Sequence, residues 1–169
     1  MKTNVSLPGV AGVAALVVAA WALAAGGSDG TSSPVAMPAA AEDPGKLIVF
    51  EGPQCACCAK WGQQMSAAGF ELEVHKTEHM AHMKSAVGVP PQVASCHTAK
   101  VGGYFVEGHV PAREVQRLLA ERPEGRGLVV AGMPAGSPGM ELPDGRIQSY
   151  EVLLVAEDSS ASVYARYPQ

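Results

Sequence analysis

The alternation of apolar and polar positions predicts a mixed α/β domain over residues 46–169. Residues 47–50 form a short apolar run with the length of a buried strand. Apolar residues then recur at helical spacing over residues 59–68, and Gly69 is typical of the position just after a helix. Over residues 70–74 apolar and polar residues alternate, which is the period of a half-buried strand. The chain therefore begins its folded part as strand, helix, strand.

The pattern continues with a second helix and two more strands. The helix is predicted from Thr77 to Ser85, with Gly88 as the residue that stops it. The doublet Pro90-Pro91 leads into a third strand over residues 92–95. A fourth strand is predicted over 101–106, after a turn near residues 99–100.

The last third of the chain predicts one helix, one short strand and a hairpin. Pro111 fits the first turn of a helix that Pro123 ends. A short apolar strand at 128–130 runs into a loop at 133–140 that is too rich in Gly and Pro for a regular element. A terminal hairpin follows, with strands at 150–156 and 162–167.

This order of elements predicts a thioredoxin-like α/β fold with a C-terminal Gly/Pro/Met loop and a terminal β-hairpin. In that fold a proline before the third strand is usually cis and faces the turn at the start of the first helix. Pro90 is the candidate, and Pro91 is an additional proline at this point.

The N-terminus predicts export. Lys2 precedes an apolar stretch at 10–25 that ends in small residues, so residues 1–25 are predicted to be a signal peptide. The alternative is an uncleaved membrane anchor, because the wider apolar stretch from Leu7 to Gly27 is about long enough to span a bilayer. Residues 26–45 are rich in Gly, Ser, Pro and Ala and are predicted to be a flexible linker. The net charge of −4 and the lack of a basic cluster argue against a nucleic-acid partner.

Three of the four cysteines lie together as Cys55-Ala56-Cys57-Cys58, between the first predicted strand and the first predicted helix. Backbone N–H groups and the positive end of a helix dipole favour thiolate at such a place. Four cysteines in an exported protein most often form two disulfides. Here Cys57 and Cys58 are adjacent and only Cys96 is distant, so two unstrained bridges are difficult to assemble. Disulfide exchange and binding of a thiophilic metal both remain open.

Other soft donors favour the metal. They are Cys96, His97, His109, Met133 and Met140. Thiolate, thioether and imidazole suit Cu(I), whereas zinc accepts Cys and His but gains little from methionine. Each residue also has a simpler interpretation: the methionines as packing residues, His109 as a turn histidine, and His97 as a hydrogen-bonding neighbour of a thiolate. Residues 75–83 hold three further histidines and two methionines, which suit either an auxiliary copper site or an exposed helix.

Several segments resemble the CopG-like periplasmic copper-resistance proteins: CACC, GVP, SCHTAKVGGYFVEGHVP, GLVVAGMPAGSPGME and the terminal hairpin. The resemblance covers residues 46–167 and implies a thioredoxin-like domain that binds copper, as Cu(I) or Cu(II). One copper ion needs only about two to four ligands, and the chain offers eight candidates, so we expect a multinuclear site. The metal ligands that the resemblance implies are Cys55, Cys57, Cys58, Cys96, His97, His109, Met133 and Met140. It also implies a periplasmic location and other periplasmic copper-handling proteins as partners.

The leading hypothesis is therefore a periplasmic copper-binding protein that captures Cu(I) in copper resistance or homeostasis, with copper-linked redox activity. An alternative is a thiol–disulfide oxidoreductase in which Cys55 attacks and Cys58 resolves the mixed disulfide. A third possibility is a zinc-stabilised interaction module.

Overall fold

One mixed sheet and three helices make up the described residues, 43–169 of a computed structural model. The strands are β1 (Lys46–Glu51), β2 (Glu71–Lys76), β3 (Thr98–Val101), β4 (Tyr104–Glu107), β5 (Gly127–Val129), β6 (Tyr150–Val155) and β7 (Ala161–Tyr167). The helices are α1 (Ala56–Ala67), α2 (Met80–Val87) and α3 (Ala112–Glu121). The predicted signal or anchor at 1–25 and residues 26–42 of the predicted linker lie outside the described residues.

The strand order of the sheet is β2-β1-β3-β4-β5-β6-β7. Strands β1 and β2 are parallel and joined through α1, and β4 and β5 are parallel and joined through α3. The other neighbours are antiparallel, and the β6–β7 hairpin extends the sheet from β5. The predicted thioredoxin-like α/β fold with a terminal hairpin is confirmed.

Two apolar clusters cover the two faces of the sheet. Val106 and Leu128 point into the larger cluster, together with Trp61 of α1 and Leu118 of α3. Neighbouring residues of the same strands point the other way, and Phe105 and Val129 pack with Val89, just after α2. Helices α1 and α3 therefore contribute to one face, and the end of α2 packs on the other. Among residues 43–169, none of the helices has the length and apolar character needed to cross a membrane.

The predicted strand at 92–95 is wrong. Pro91 has no N–H for a strand ladder and instead begins a short 3₁₀ helix, Pro91–Val93. Strand β3 starts only at Thr98, so residues 94–97 form an irregular segment before it. In the described part of the chain the cis peptide bond is Tyr167–Pro168, so the predicted cis Pro90 is also wrong.

The turn between the third and fourth strands also lies elsewhere. Gly102 and Gly103 form it, with φ values of 55° and 89° that favour glycine. The predicted strand at 101–106 is therefore split between β3 and β4. As a result, residues 96 and 97 lie just before β3, and residues 108 and 109 lie just after its neighbour β4.

Candidate metal centre

The cysteine turn joins β1 to α1. Cys55 is the N-cap of α1, which begins at Ala56, three residues earlier than predicted. Cys57 and Cys58 therefore lie in the first helical turn. Cys55 and Cys58 form a disulfide, and Cys57 is free with its Sγ 3.5 Å from that of Cys55. Cys58 is buried, whereas Cys55 and Cys57 are partly exposed.

Cys96 reaches this turn from the segment before β3. Its Sγ lies 3.7 Å from the Sγ of Cys58. The sulfur atoms of all four cysteines lie within 4.8 Å of one another. Two distant stretches of the chain thus form one sulfur cluster.

His109 adds an imidazole to the cluster. It follows β4, and its Nε2 lies 3.0 Å from the Sγ of Cys96. Its Nδ1 donates a hydrogen bond to the carbonyl oxygen of Pro138 at 2.7 Å. In the neutral ring this leaves the Nε2 lone pair directed at the sulfur, an arrangement typical of metal-binding histidines.

His97 lies beside Cys96 with its Nδ1 3.2 Å from the sulfur. Both residues precede β3, so they are not forced to opposite faces of a strand. The ring of His97 is fully buried, with its centroid 4.3 Å from that of Trp61. Among the described residues, its Nε2 has no hydrogen-bond partner. Burial, the nearby His109 and Lys84 lower the pKa of His97 to about 3, so its ring is neutral and able to bind a metal.

Burial also governs the protonation of the other donors. It raises the pKa of the Cys96 thiol to about 12, and neighbouring Cys57 adds to the rise. Burial lowers the pKa of His109 below its ordinary value. Without metal the cluster therefore holds a protonated Cys96 beside a neutral His109, and a metal ion that binds Cys96 displaces a proton.

The loop at 133–140 lies against the cysteine turn. A methyl group at Gly139 would be 2.6 Å from the carbonyl oxygen of Cys57 and 2.9 Å from the backbone nitrogen of Trp61. Met140 is half-buried in this loop, whereas Met133 is 54% exposed. The ligand roles of both methionines stay predictions.

The histidine-rich segment lies apart in a more exposed setting. The ring of His75 pairs with Glu73 at 2.7 Å. His79 is the N-cap of α2, and both His79 and His82 are exposed. An auxiliary copper site at this segment stays a prediction.

Sequence reasoning missed one buried group near the centre, Glu107. It is fully buried at the end of β4, where it binds Lys84, Ser95 and Thr98. Its signal in the sequence is weak, because it is a single charged residue after the apolar run 104–106.

The comparisons with known proteins point to copper. A family model described as "Protein of unknown function, DUF411" matches residues 93–140, which include Cys96, His97 and His109. Two solved structures, "Copper resistance protein copG- Form 1" and "Copper resistance protein copG- Form 2", are each 42% identical to the chain with a TM-score of 0.70. Each alignment covers 75% of this chain and 100% of the other. The chain belongs to the CopG family of copper resistance proteins. A search of the curated proteins gave no significant match.

Membership in the CopG family confirms the resemblance found in the sequence. Together with a cysteine cluster able to hold a metal, it supports copper-related metal binding. The donor set also suits this metal, because four sulfurs and a histidine Nε2 are soft or borderline ligands.

Proposed function

We propose that this CopG-family protein captures Cu(I) in the periplasm, in a multinuclear site built on Cys55, Cys57, Cys58 and Cys96. The observation that carries the proposal is the convergence of all four sulfurs within 4.8 Å. Thiolates of this kind favour Cu(I) over hard cations. His97 and His109 complete the donor set, and Met133 and Met140 are further candidates from the neighbouring loop.

The position of Cys96 supports more than one copper ion. Cys96 belongs to two donor groups, one with the three other cysteines and one with His97 and His109. A thiolate shared by two groups can bridge two ions. Bridging by Cys96 would therefore allow the protein to bind several copper ions with fewer sulfur ligands than the same number of separate sites would require.

The disulfide supports a link between copper and redox state. With Cys55 and Cys58 bridged, two thiols are free, and two-electron reduction of the bridge by an external dithiol makes four available. In the reverse direction, two thiolates that each give one electron to a Cu(II) ion form the disulfide and yield two Cu(I) ions. The cysteine turn thereby couples copper oxidation state to its own binding capacity.

Titration of the fully reduced protein with Cu(I) under anaerobic conditions tests the proposal. We expect more than about one Cu(I) bound per chain, and a lower stoichiometry for Cys57→Ser because a bridging sulfur is lost. Ala59→Ser is the matched control, since it adds a hydroxyl at an exposed position of α1 and should bind as the wild type does. Binding below one ion per chain that Cys57→Ser leaves unchanged contradicts the proposal.

A second function is favoured by the disulfide itself. Cys55 and Cys58 bridge the N-terminus of a helix at redox-type spacing, with Cys55 the more exposed of the two. A thiol–disulfide oxidoreductase would reduce a protein disulfide or oxidise a protein dithiol, with turnover that survives Cys57→Ser and Cys96→Ser. The copper function predicts loss of metal in the same variants, so one pair of substitutions separates the two.

A further inference from the structure

A buried ion pair lies next to the metal centre. Glu107 ends β4, two residues before His109, and its side chain is 0% exposed. Its Oε1 lies 2.6 Å from the Nζ of Lys84 in the last turn of α2. An unpaired carboxylate is very unfavourable in such a place, so Lys84 is the counter-charge that allows Glu107 to be buried.

The carboxylate of Glu107 holds the segment that carries Cys96 and His97. Its Oε1 accepts the backbone N–H of Ser95 at 2.5 Å, and its Oε2 accepts the hydroxyl of Thr98 at 2.6 Å. Thr98 is directly opposite Glu107 in the β3–β4 register. One carboxylate therefore binds the chain on both sides of Cys96 and His97.

Two hydrogen bonds to backbone carbonyl oxygens complete this arrangement. The N–H of Gly108 donates to the carbonyl oxygen of His97 at 3.0 Å. The hydroxyl of Ser95 donates to the carbonyl oxygen of Gly132, next to the predicted ligand Met133. The segments that carry Cys96, His109 and Met133 thus meet around Glu107 and Ser95.

We propose that Glu107, neutralised by Lys84, is a positioning residue that keeps Cys96 within reach of Cys58 and His109. The inference rests on the proposed copper function and adds to it a residue outside both donor groups. Cys96 belongs to both donor groups, so a displacement of its sulfur weakens both. Hydrogen bonds to a charged acceptor are among the stronger ones, which suits this role.

The first test uses the metal-free protein with the Cys55–Cys58 disulfide intact. Initial rates of alkylation by iodoacetamide are measured by mass spectrometry for the two free thiols, with Cys57 as the internal reference. Glu107→Gln keeps the shape but replaces one accepting oxygen by an NH₂ group. We expect the ratio of the Cys96 rate to the Cys57 rate to rise about tenfold, because the segment opens more readily.

Two further variants keep this test decisive. Thr98→Val removes the hydrogen bond that the Thr98 hydroxyl donates to Glu107 and the one it accepts from Lys84, but it leaves the contacts of Glu107 with Lys84 and Ser95 in place. It should therefore raise the ratio by a smaller factor, and it provides the test if Glu107→Gln does not fold. Glu114→Gln is the matched control, because Glu114 is also a buried carboxylate but binds Arg113, Arg117 and Tyr167. An unchanged ratio in Glu107→Gln and Thr98→Val, or an equal rise in Glu114→Gln, overturns the proposal.

The second test measures Cu(I) affinity of the reduced proteins by competition with a chromophoric Cu(I) chelator. We expect about tenfold weaker binding for Glu107→Gln and wild-type binding for Glu114→Gln. Equal affinity of Glu107→Gln and the wild type contradicts the positioning role. Absence of Cu(I) binding in the wild type contradicts the proposed function, whereas the alkylation ratio still decides whether Glu107 positions Cys96.

Discussion

Glu51, the last residue of β1, is a buried acid close to the cysteine turn. Only 4% of its surface is exposed, and it lines a cavity with Cys58, Leu72, Val74 and Lys76. Burial raises the pKa of this carboxyl above its ordinary value, while the charge of Lys76 opposes part of the rise. The folded protein therefore holds the Glu51 proton more tightly than the unfolded chain does.

This difference predicts a pH dependence of stability. The stabilisation linked to protonated Glu51 is complete below the pKa of the unfolded chain and is lost as pH rises through the raised pKa of the folded state. Glu51→Gln should therefore be more stable than the wild type at pH 7, and the gain should disappear in acid. Urea unfolding of the metal-free protein from pH 4 to pH 8 measures this.

Glu157→Gln, in the exposed turn between β6 and β7, provides the comparison for that experiment. It should follow the wild-type pH profile. If the free energies of unfolding of Glu51→Gln and the wild type differ by the same amount at every pH, Glu51 does not cause the predicted pH dependence of stability.

At the scale of elements, the loop at 133–140 is placed by one close backbone contact. Gly139 has φ +85° and lies against Cys57 and Trp61, where no side chain fits. The loop also carries Pro138, whose carbonyl oxygen orients the ring of His109. Its position thus affects both the start of α1 and a candidate ligand.

Gly139→Ala should destabilise the protein by about 1–3 kcal/mol, because the added methyl group displaces either the loop or the helix start. It should also weaken Cu(I) binding, since the hydrogen bond to His109 moves with the loop. Thermal unfolding and chelator competition measure the two effects. Gly132→Ala is a stringent control: its φ is +67°, but a methyl group there meets nothing within 4 Å. Equal effects of the two substitutions would show that backbone strain alone is responsible.

Prediction from the sequence succeeded where the apolar periodicity of a helix ends at a residue that commonly terminates helices, such as glycine. The helix stops at Gly69 and Gly88 are confirmed, since both glycines take positive φ. The region from Pro90 to Val101 was predicted incorrectly, because the apolar residues after the proline doublet suit a strand as well as a 3₁₀ turn. The close approach of Cys96 to Cys58 depends on the pairing of β1 with β3. The spacing of the cysteines along the chain did not predict this approach, whereas the family resemblance implied it by giving both residues as copper ligands.

Glu107 could not be found in the same way. A lone acid after an apolar run predicts a strand end exposed to solvent. Its burial depends on Lys84, which comes from a helix 23 residues away along the chain. Pairings of this kind become visible only when the sheet and α2 are assembled.

At the scale of the whole molecule, the N-terminal segment predicts where the protein is located. We expect the chain expressed in a Gram-negative host to appear in the periplasmic fraction, because residues 1–25 have the pattern of a signal peptide. Intact mass measured on the purified protein distinguishes cleavage near residue 25 from a retained anchor. Confinement of the full-length chain to the cytoplasm would contradict the prediction.

The packing of Trp61 against His97 has a practical consequence. Trp61 is the single tryptophan of residues 43–169, and its buried indole donates to the carbonyl oxygen of Val110 at 2.9 Å. Its ring lies beside His97, a candidate ligand. Trp21, the other tryptophan, lies in the predicted signal peptide, so Trp61 is the tryptophan that remains after cleavage. The intrinsic fluorescence of the cleaved protein should therefore report metal binding at the centre in real time, without any added dye.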